Sequence, residues 1–575
     1  MLYKNLVELY ESLESEPSRL TKVRLISNFL RKSETDELAM ITLMVSGKIF
    51  PSYSDEEIGI AEKTAVKIIS ISTGFPEGDV SSNFNETGDL GQTCENLMSK
   101  RKQLTLGKKS LSAENVFDNF RKLATVEGKG SQDVKMNLIK ELITHASPKE
   151  SKYIIRTSVN ELRIGVAEGV LRDAIAEAFL DTETMEKKKE SVSAVEWAWF
   201  LNPDYGSIAM IAKKRGIEGL RKVRVEIGKP YHVLLSEKSP GLKEAMELYE
   251  KIALEFKYDG ARIVIHKKGD KLWFYTRRLE NVTRQFPELR EFVMNGVDAD
   301  ECIIEGEMLG FDKRTGKPMP FQFLSQRIKR KYEIERMVSE IPIQVKIFDI
   351  IYLDGKELFD KKLSERWSIL KKIINTSKGF QLAEHIETKE MKKAEEFYRK
   401  ALEAGQEGLI VKNLDAYYHP GRRVAGGWLK VKPIMETLDL VITGATWGTG
   451  KRATWMGSFV LSCRDGDKYL ECGMMGTGIK EKITNEGDIT FEHLTKILKP
   501  YMEKEDGNEV KIKPMIVVEI AYEEIQKSPN YSSGYALRFP RLVRLRDLDK
   551  KPEDSDDIER IKKLYEMQKG RSKPG

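Results

Sequence analysis

The chain has 575 residues, with 96 Lys+Arg set against 90 Asp+Glu for a formal net charge of +6. That length suggests about three to four domains at roughly 150 residues each, and the absence of any apolar stretch near about 18 residues excludes a membrane-spanning protein. The near-neutral total permits a nucleic-acid partner without requiring one, because basic runs such as Arg327–Lys331, Lys187–Lys189 and the terminal Lys-Gly-Arg-Ser-Lys read first as solvated faces.

The N-terminus mixes acidic and apolar residues at helical spacing and lacks the basic start and short apolar core of a signal peptide, which predicts a cytoplasmic protein. Apolar residues then recur at three- and four-residue spacing, in runs such as Asn115–Ala124 and Asn137–Ala146, so residues 1–215 are predicted to be all-helical. Within them Glu57-Ile-Gly-Ile-Ala-Glu62 echoes Arg163-Ile-Gly-Val-Ala-Glu168, as two related helical halves would. Gly59 and Gly165 either permit close helix packing or open a backbone approach at a helix N-terminus, where unpaired N–H groups suit a phosphate. From Gly216 the rhythm breaks, predicting a linker over 216–230. Strand-like and helical runs alternate over 231–433, an α+β domain with a large sheet, and short strands separated by turns over 434–575 predict a small β-barrel closed by a helix at Ile558–Gln568. The cysteines, Cys94, Cys302, Cys463 and Cys472, never adopt Cys-x-x-Cys spacing, so neither a disulfide framework nor a cysteine-held metal is expected.

Candidate chemistry concentrates between Glu255 and Pro433. In Glu255-Phe-Lys-Tyr-Asp-Gly-Ala-Arg262 a lysine ends a strand directly before a turn built by Asp259 and Gly260. A lysine amine attacks phosphorus only when neutral, and free lysine titrates near about 10.4, so cationic neighbours or burial must lower its pKa. Alone, this pattern also suits a surface turn with a solvated lysine. Glu307 and Glu407 are expected on adjacent strands, where two carboxylates would share a hard divalent cation. Lys430 and Lys432 should point to one face of a strand and together meet developing negative charge.

Lys257-Tyr-Asp-Gly260 resembles the Lys-x-Asp-Gly signature of the covalent nucleotidyltransferases, whose lysine becomes adenylated. Thr276–Thr283, Ile304–Met308, Lys346–Tyr352, Glu407–Lys412 and Trp428–Pro433 resemble further motifs of that superfamily in order and spacing. The resemblance implies Lys257 as nucleophile, Arg277 on the nucleotide phosphate, Glu307 as the functional acid of its motif, and Phe348 stacked on the base, a position where an aromatic is also ordinary core. It further implies Glu255 on the adenine amino group, Arg262 on ribose or the nicked strand's phosphate, and Lys430 with Lys432 on the α-phosphate, Lys430 the stronger choice. Glu307 and Glu407 would hold Mg²⁺ or Mn²⁺. Pro420-Gly-Arg-Arg423 resembles a nucleotide-binding Pro-Gly-x-Arg and points to Arg423, although its interval to Lys430 is one residue longer than usual.

Ser528–Arg546 closely resembles the C-terminal motif of ATP-dependent DNA ligases. Its end, Arg546-Asp-Leu-Asp-Lys550, is one residue longer than the family's Arg-x-Asp-Lys, which leaves the pyrophosphate-facing arginine open among Arg541, Arg544 and Arg546. Ala146–Arg156 and Glu161–Val166 resemble the DNA-binding domain of the archaeal and eukaryotic replicative ligases, so the resemblance spans essentially the whole chain. It implies an all-α DNA-binding domain, an α+β nucleotidyltransferase (adenylation) domain and a C-terminal OB-fold β-barrel. Gly59, Arg163 and Gly165 would then face the minor groove and phosphates beside a nick.

The implied activity is ATP-dependent sealing of 5′-phosphate/3′-hydroxyl nicks in duplex DNA by a monomer, in replication, repair and recombination. RNA ligases and capping guanylyltransferases do not carry so long a helical region before the lysine, and NAD⁺-dependent ligases carry a zinc module that these cysteines cannot form. A catalytically silent nick-binding protein would have no reason to keep Lys257, Glu307, Glu407 and Lys430. Family analogy implies a sliding-clamp partner; Gln103-Leu-Thr-Leu106 starts like a docking peptide, with Gly107 and Lys108 where aromatics would be expected.

Overall fold

The computed structural model describes every residue except 55, 102–109, 127, 129, 313, 315–316, 331, 422–426, 434–435, 449–453, 485–487, 547–548 and 569–575. From Tyr3–Ser15 to Tyr205–Arg221 the elements are helices, and local sequence sets their limits. In Ala113–Thr125 the Ser112 hydroxyl accepts from the Asn115 N–H, while Val116, Phe117, Phe120 and Leu123 form the buried stripe. Pro148–Ser158 starts with proline inside a reciprocal Ser147/Glu150 box. Its Arg156 guanidinium lies 2.8 Å from Glu14 and 2.7 Å from Asp89, which ties three helical segments together. The last helix continues past the predicted linker start and bends at Gly216 (φ +58°). Among the described residues, no helix is long and apolar enough to cross a membrane.

The sequence echo is a structural one. Four helices matter here: α1 (Arg19–Lys32), α2 (Glu62–Thr73), α3 (Ser131–His145) and α4 (Glu168–Phe179). Gly59 precedes α2 with φ +67°, Gly165 precedes α4 with φ +66°, and α4 packs on α1 as α2 packs on α3. A left-handed backbone at both positions is why each copy keeps glycine.

The central region is built on two sheets. Six strands position the site: β1 (Ile252–Lys257), β2 (Ala261–Lys268), β3 (Glu301–Gly310), β4 (Ile343–Leu353), β5 (Gly408–Asn413) and β6 (Trp428–Val431). One sheet runs Glu237–Lys238, β6, β5, β1, His385–Glu387; the other runs Lys271–Thr276, β2, β3, β4, Lys356–Glu357, with Phe380–Leu382 against β4. Alternation splits each strand of the second sheet between two cores. Val264, Ile303 and Ile351 join Leu254, Leu409 and Val431 between the sheets, whereas Ile263, Ile304 and Ile350 pack outward against helices.

The C-terminal region is strand-rich. A seven-stranded sheet is organised on Leu438–Trp447, which pairs with Met456–Asp465, Glu509–Ile512 and Val517–Ala521, and the expected closing helix is Ile558–Met567. All four cysteines are buried and free. One basic run departs from its expected solvated face. Arg327 is fully buried, with its guanidinium on Glu288 at 2.6 Å and on the Gln285 and Ile341 carbonyl oxygens, because a planar fork with five donors can be satisfied inside.

Candidate active site

Lys257 ends β1 in one sheet, and β2 begins in the other at Ala261, so the lysine stands where the chain crosses between the sheets. The crossing is tight. A Cβ on Gly260 would lie 2.4 Å from the Met308 carbonyl oxygen and 2.9 Å from Glu307 Cγ, and the Asp259 N–H donates to Gln406 Oε1 at 3.2 Å. Antiparallel pairing sets Gly408 opposite Lys257, and the Glu407 N–H donates to the Lys257 carbonyl oxygen at 2.9 Å. Gly408 takes φ +143°, and a Cβ there would sit 2.1 Å from the Val431 oxygen.

This packing brings together side chains that are far apart in sequence. Lys257 Nζ donates to the Glu407 carboxylate, and Lys432 Nζ lies 2.9 Å from the same Oε2. Burial alone would raise the Glu407 carboxyl, yet Lys257 and Lys432 hold it down to about 2. Glu307 lies on β3, opposite Arg262 of β2, and burial pushes its carboxyl up to about 7, against the pull of Lys257 and Arg262. Contrary to expectation, Glu307 and Glu407 are not on adjacent strands: Glu307 lies on β3, Glu407 immediately precedes β5 in the other sheet, and the Glu407 charge adds to the rise of Glu307. Lys430 lies in β6 opposite Ile410, half-buried, and strand alternation keeps it on the face of Lys432.

A second, drier cluster lies deeper. Glu255 is 3% exposed and pairs with Lys412, while His385 Nδ1 is 3.1 Å away and its ring stacks on Trp367 at 4.2 Å. Burial lowers the Lys412 pKa against the opposing pull of Glu255, and its ammonium rests 4.6 Å from the Phe348 ring centre and 4.1 Å from that of Trp428. Phe348 itself meets Trp428 edge-on at 5.7 Å within the inter-sheet core. Arg262 donates to the Leu234 carbonyl oxygen at 2.8 Å and to Glu305, a fully buried carboxylate that also accepts from Tyr231 (2.6 Å) and Tyr418 (2.7 Å). Lys412, Glu305 and His385 were given no role from sequence. The available signal was a charged residue at an inward position of an otherwise apolar strand.

The remaining candidates lie elsewhere. Arg277 is exposed just beyond Lys271–Thr276. Arg423 and the Gln103–Leu106 segment lie outside the described residues. Arg544 Nε donates to Glu519 at 2.6 Å, Arg546 spans Glu519, Asp439 and Asp549, and Arg541 is exposed on the same strand, so these arginines are held within the C-terminal region and not at Lys257. Arg163 adopts φ +57°, donates to the Gly88 carbonyl oxygen at 2.8 Å and pairs with Glu161. Lys432 also reaches the C-terminal region, its Nζ lying 3.3 Å from Glu523.

Two facing sheets joined at a lysine, a helical region before them and a strand-rich region after them are the parts of a multidomain nucleotidyltransferase. Family models match in the same order: DNA ligase N terminus over 2–176, ATP dependent DNA ligase domain over 234–432, and ATP dependent DNA ligase C terminal region over 452–550. The DNA ligase of Nanoarchaeum equitans (strain Kin4-M) is 46% identical over 574 residues, covering 99% of each chain, and that of Thermococcus fumicolans is 43% identical over 571 residues with the same coverage. A solved structure named "Pmar-Lig_PreS3" shares the fold at 17% identity and TM-score 0.57, over 94% of this chain and 99% of its own. The chain belongs to the ATP-dependent DNA ligase family.

Proposed function

We propose that Lys257 is the adenylated residue in a three-step sealing of nicks in duplex DNA. Its amine forms a P–N bond to the α-phosphorus of ATP as the bond to pyrophosphate breaks. The AMP passes to the oxygen of a 5′-phosphate, which restores the lysine, and the adjacent 3′-hydroxyl then attacks that phosphorus and expels AMP. Such chemistry rests on positioning and charge stabilisation.

The observation that carries this reading is the Lys257–Glu407–Lys432 triplet at the crossing between the sheets. Because Lys432 also faces Glu407, that carboxylate stays neutralised when Lys257 turns to phosphorus. Lys430, on the same face, and the exposed Arg277 suit the phosphates. Glu255, Arg262 and Phe348 form a braced wall suited to the base and ribose end, and Arg423 completes the nucleotide set by its motif. The donor chemistry fits Mg²⁺ or Mn²⁺, which need only one or two carboxylates beside substrate phosphates and water; the desolvated Glu307 and the adjacent Glu407 would hold it. Bound there, the ion would neutralise charge on phosphate oxygens.

The division 1–215, 231–433 and 434–575 is supported by largely separate hydrophobic clusters. Gly59, Arg163 and Gly165 are the DNA-facing residues of the first part, and exposed Arg541 is favoured for pyrophosphate because Glu519 engages Arg544 and Arg546. A sliding-clamp partner, a monomeric state and a cytoplasmic setting complete the reading by family analogy. Incubation with α-labelled ATP and Mg²⁺ tests it: wild type is expected to carry label and Lys257→Ala none. An unlabelled wild type, or equal label on both, overturns the assignment.

A further inference from the structure

Each glycine turn of the helical region is closed by a lysine from the other half. Lys22, on α1, donates from Nζ to the Ile164 carbonyl oxygen at 2.6 Å, immediately before Gly165. Lys135, on α3, donates to the Ile58 carbonyl oxygen at 3.3 Å, immediately before Gly59. A Cβ on Gly165 would stand 2.5 Å from Lys22 Nζ, and one on Gly59 would stand 3.2 Å from Lys135 Nζ, so each ammonium lies directly against its turn.

The arrangement is reciprocal. The segments Lys22-Val-Arg-Leu-Ile26 and Lys135-Met-Asn-Leu-Ile139 share Lys-x-x-Leu-Ile, which extends the sequence echo to helices Arg19–Lys32 and Ser131–His145, each preceded by one further helix, Tyr3–Ser15 and Ala113–Thr125. The first half's lysine reaches the second half's turn, and the second half's lysine reaches the first half's turn, as in a two-fold related interface. Burial runs in parallel at both turns. Ile58 and Ile164 are buried before the glycine, Ile60 is buried and its counterpart Val166 half-buried after it, while Gly59 and Ala61, like Gly165 and Ala167, are exposed with little or no side chain.

We propose that Lys22 and Lys135 are positioning residues that fix the two glycine turns, and their mutual spacing, for phosphates on either side of a nick. The proposal rests on the reading of Gly59 and Gly165 as DNA-facing. Lys22 is only 8% exposed and spends its ammonium on a backbone carbonyl, which suits a role inside the turn and not on the phosphate itself. A carbonyl fixed by a buried cation cannot swing outward, so the outward edge remains N–H and glycine backbone, the surface an anion meets.

Hydrogen exchange on the full chain, free and with a nicked duplex, tests this in Lys22→Met and Lys135→Met. In free Lys22→Met the amides of 164–167 are expected to exchange at least about tenfold faster while 58–61 keep the wild-type rate, and Lys135→Met is expected to show the reverse. Each variant should bind nicked duplex about tenfold more weakly, with an unchanged slope of log affinity against log salt, because a positioning lysine neutralises no phosphate. Lysine-to-arginine variants, which keep a donor, should recover part of the loss. Wild-type exchange at both turns in both variants overturns the proposal. So does a slope smaller by about one unit, which would make the lysines phosphate contacts. If the wild-type turns gain no protection on nicked duplex, the DNA-facing reading fails and the proposal falls with it. Lys135 is half-buried, so Lys135→Met carries the test if Lys22→Met does not fold.

Discussion

A carboxylate shared by two ammonium groups gives up its charge reluctantly, and Glu407 between Lys257 and Lys432 is held at about 2. An amide there would leave no carboxylate to orient the Lys257 amine or to help hold a divalent cation. Glu407→Gln is expected to lower lysine adenylation about a hundredfold, measured as label transferred from α-labelled ATP in a single turnover. Glu307 behaves oppositely, raised from 4.5 to about 7. Folded protein therefore keeps a proton that the unfolded chain has released; this group's contribution to stability is present below 4.5 and is lost as pH rises through about 7. For function the sign reverses, since the charged carboxylate is the form that meets a cation. Adenylation is expected to climb with pH through about 7 in wild type and to flatten in Glu307→Gln, as a pH–rate profile would show.

At the scale of elements, Lys412 is the cross-brace of the lysine-bearing sheet. It lies on β5, reaches Glu255 of the neighbouring β1, and rests against the rings of Phe348 and Trp428. Removing one partner of a buried pair leaves the other charge uncompensated, so Lys412→Met is expected to cost about 3–5 kcal/mol in denaturant unfolding, and adding Glu255→Gln should restore part of it. Much of this architecture was legible in the sequence. Period-two alternation marked the strands, Lys-x-Asp-Gly marked the crossing, and the repeated Ile-Gly step marked both helical turns. What remained hidden depends on tertiary neighbours. Glu307 and Glu407 read as adjacent because each belongs to or borders an apolar strand of one region, and nothing local records that β3 and β5 belong to different sheets. The Arg327 run read as solvated because charge runs usually are; its burial depends on Glu288 and on carbonyls from two other segments. Lys22 and Ile164 are separated by 142 positions, so a bond between them left no local trace.

For the whole molecule, Lys432 is a hinge of charge. It shares Glu407 with Lys257 and reaches Glu523 in the C-terminal region, where Arg538 also lies 5.9 Å over the Phe321 ring of the central region. Such sparse, partly exposed contacts are weak and salt-sensitive. Glu523→Lys places like charges together and is expected to enlarge the radius of gyration measured by small-angle X-ray scattering at low salt. High salt should move wild type in the same direction.

The thiols of this chain are distributed one to the helical core, one behind the second sheet and two in the C-terminal core. Burial pushes Cys94 and Cys302 up to about 12, far from the thiolate form that electrophiles and oxidants attack. The native surface is thus blank to maleimide chemistry. A single cysteine introduced on each of two domains would take a fluorophore pair without any native cysteine being replaced, and interdomain distances would become readable through every step of sealing.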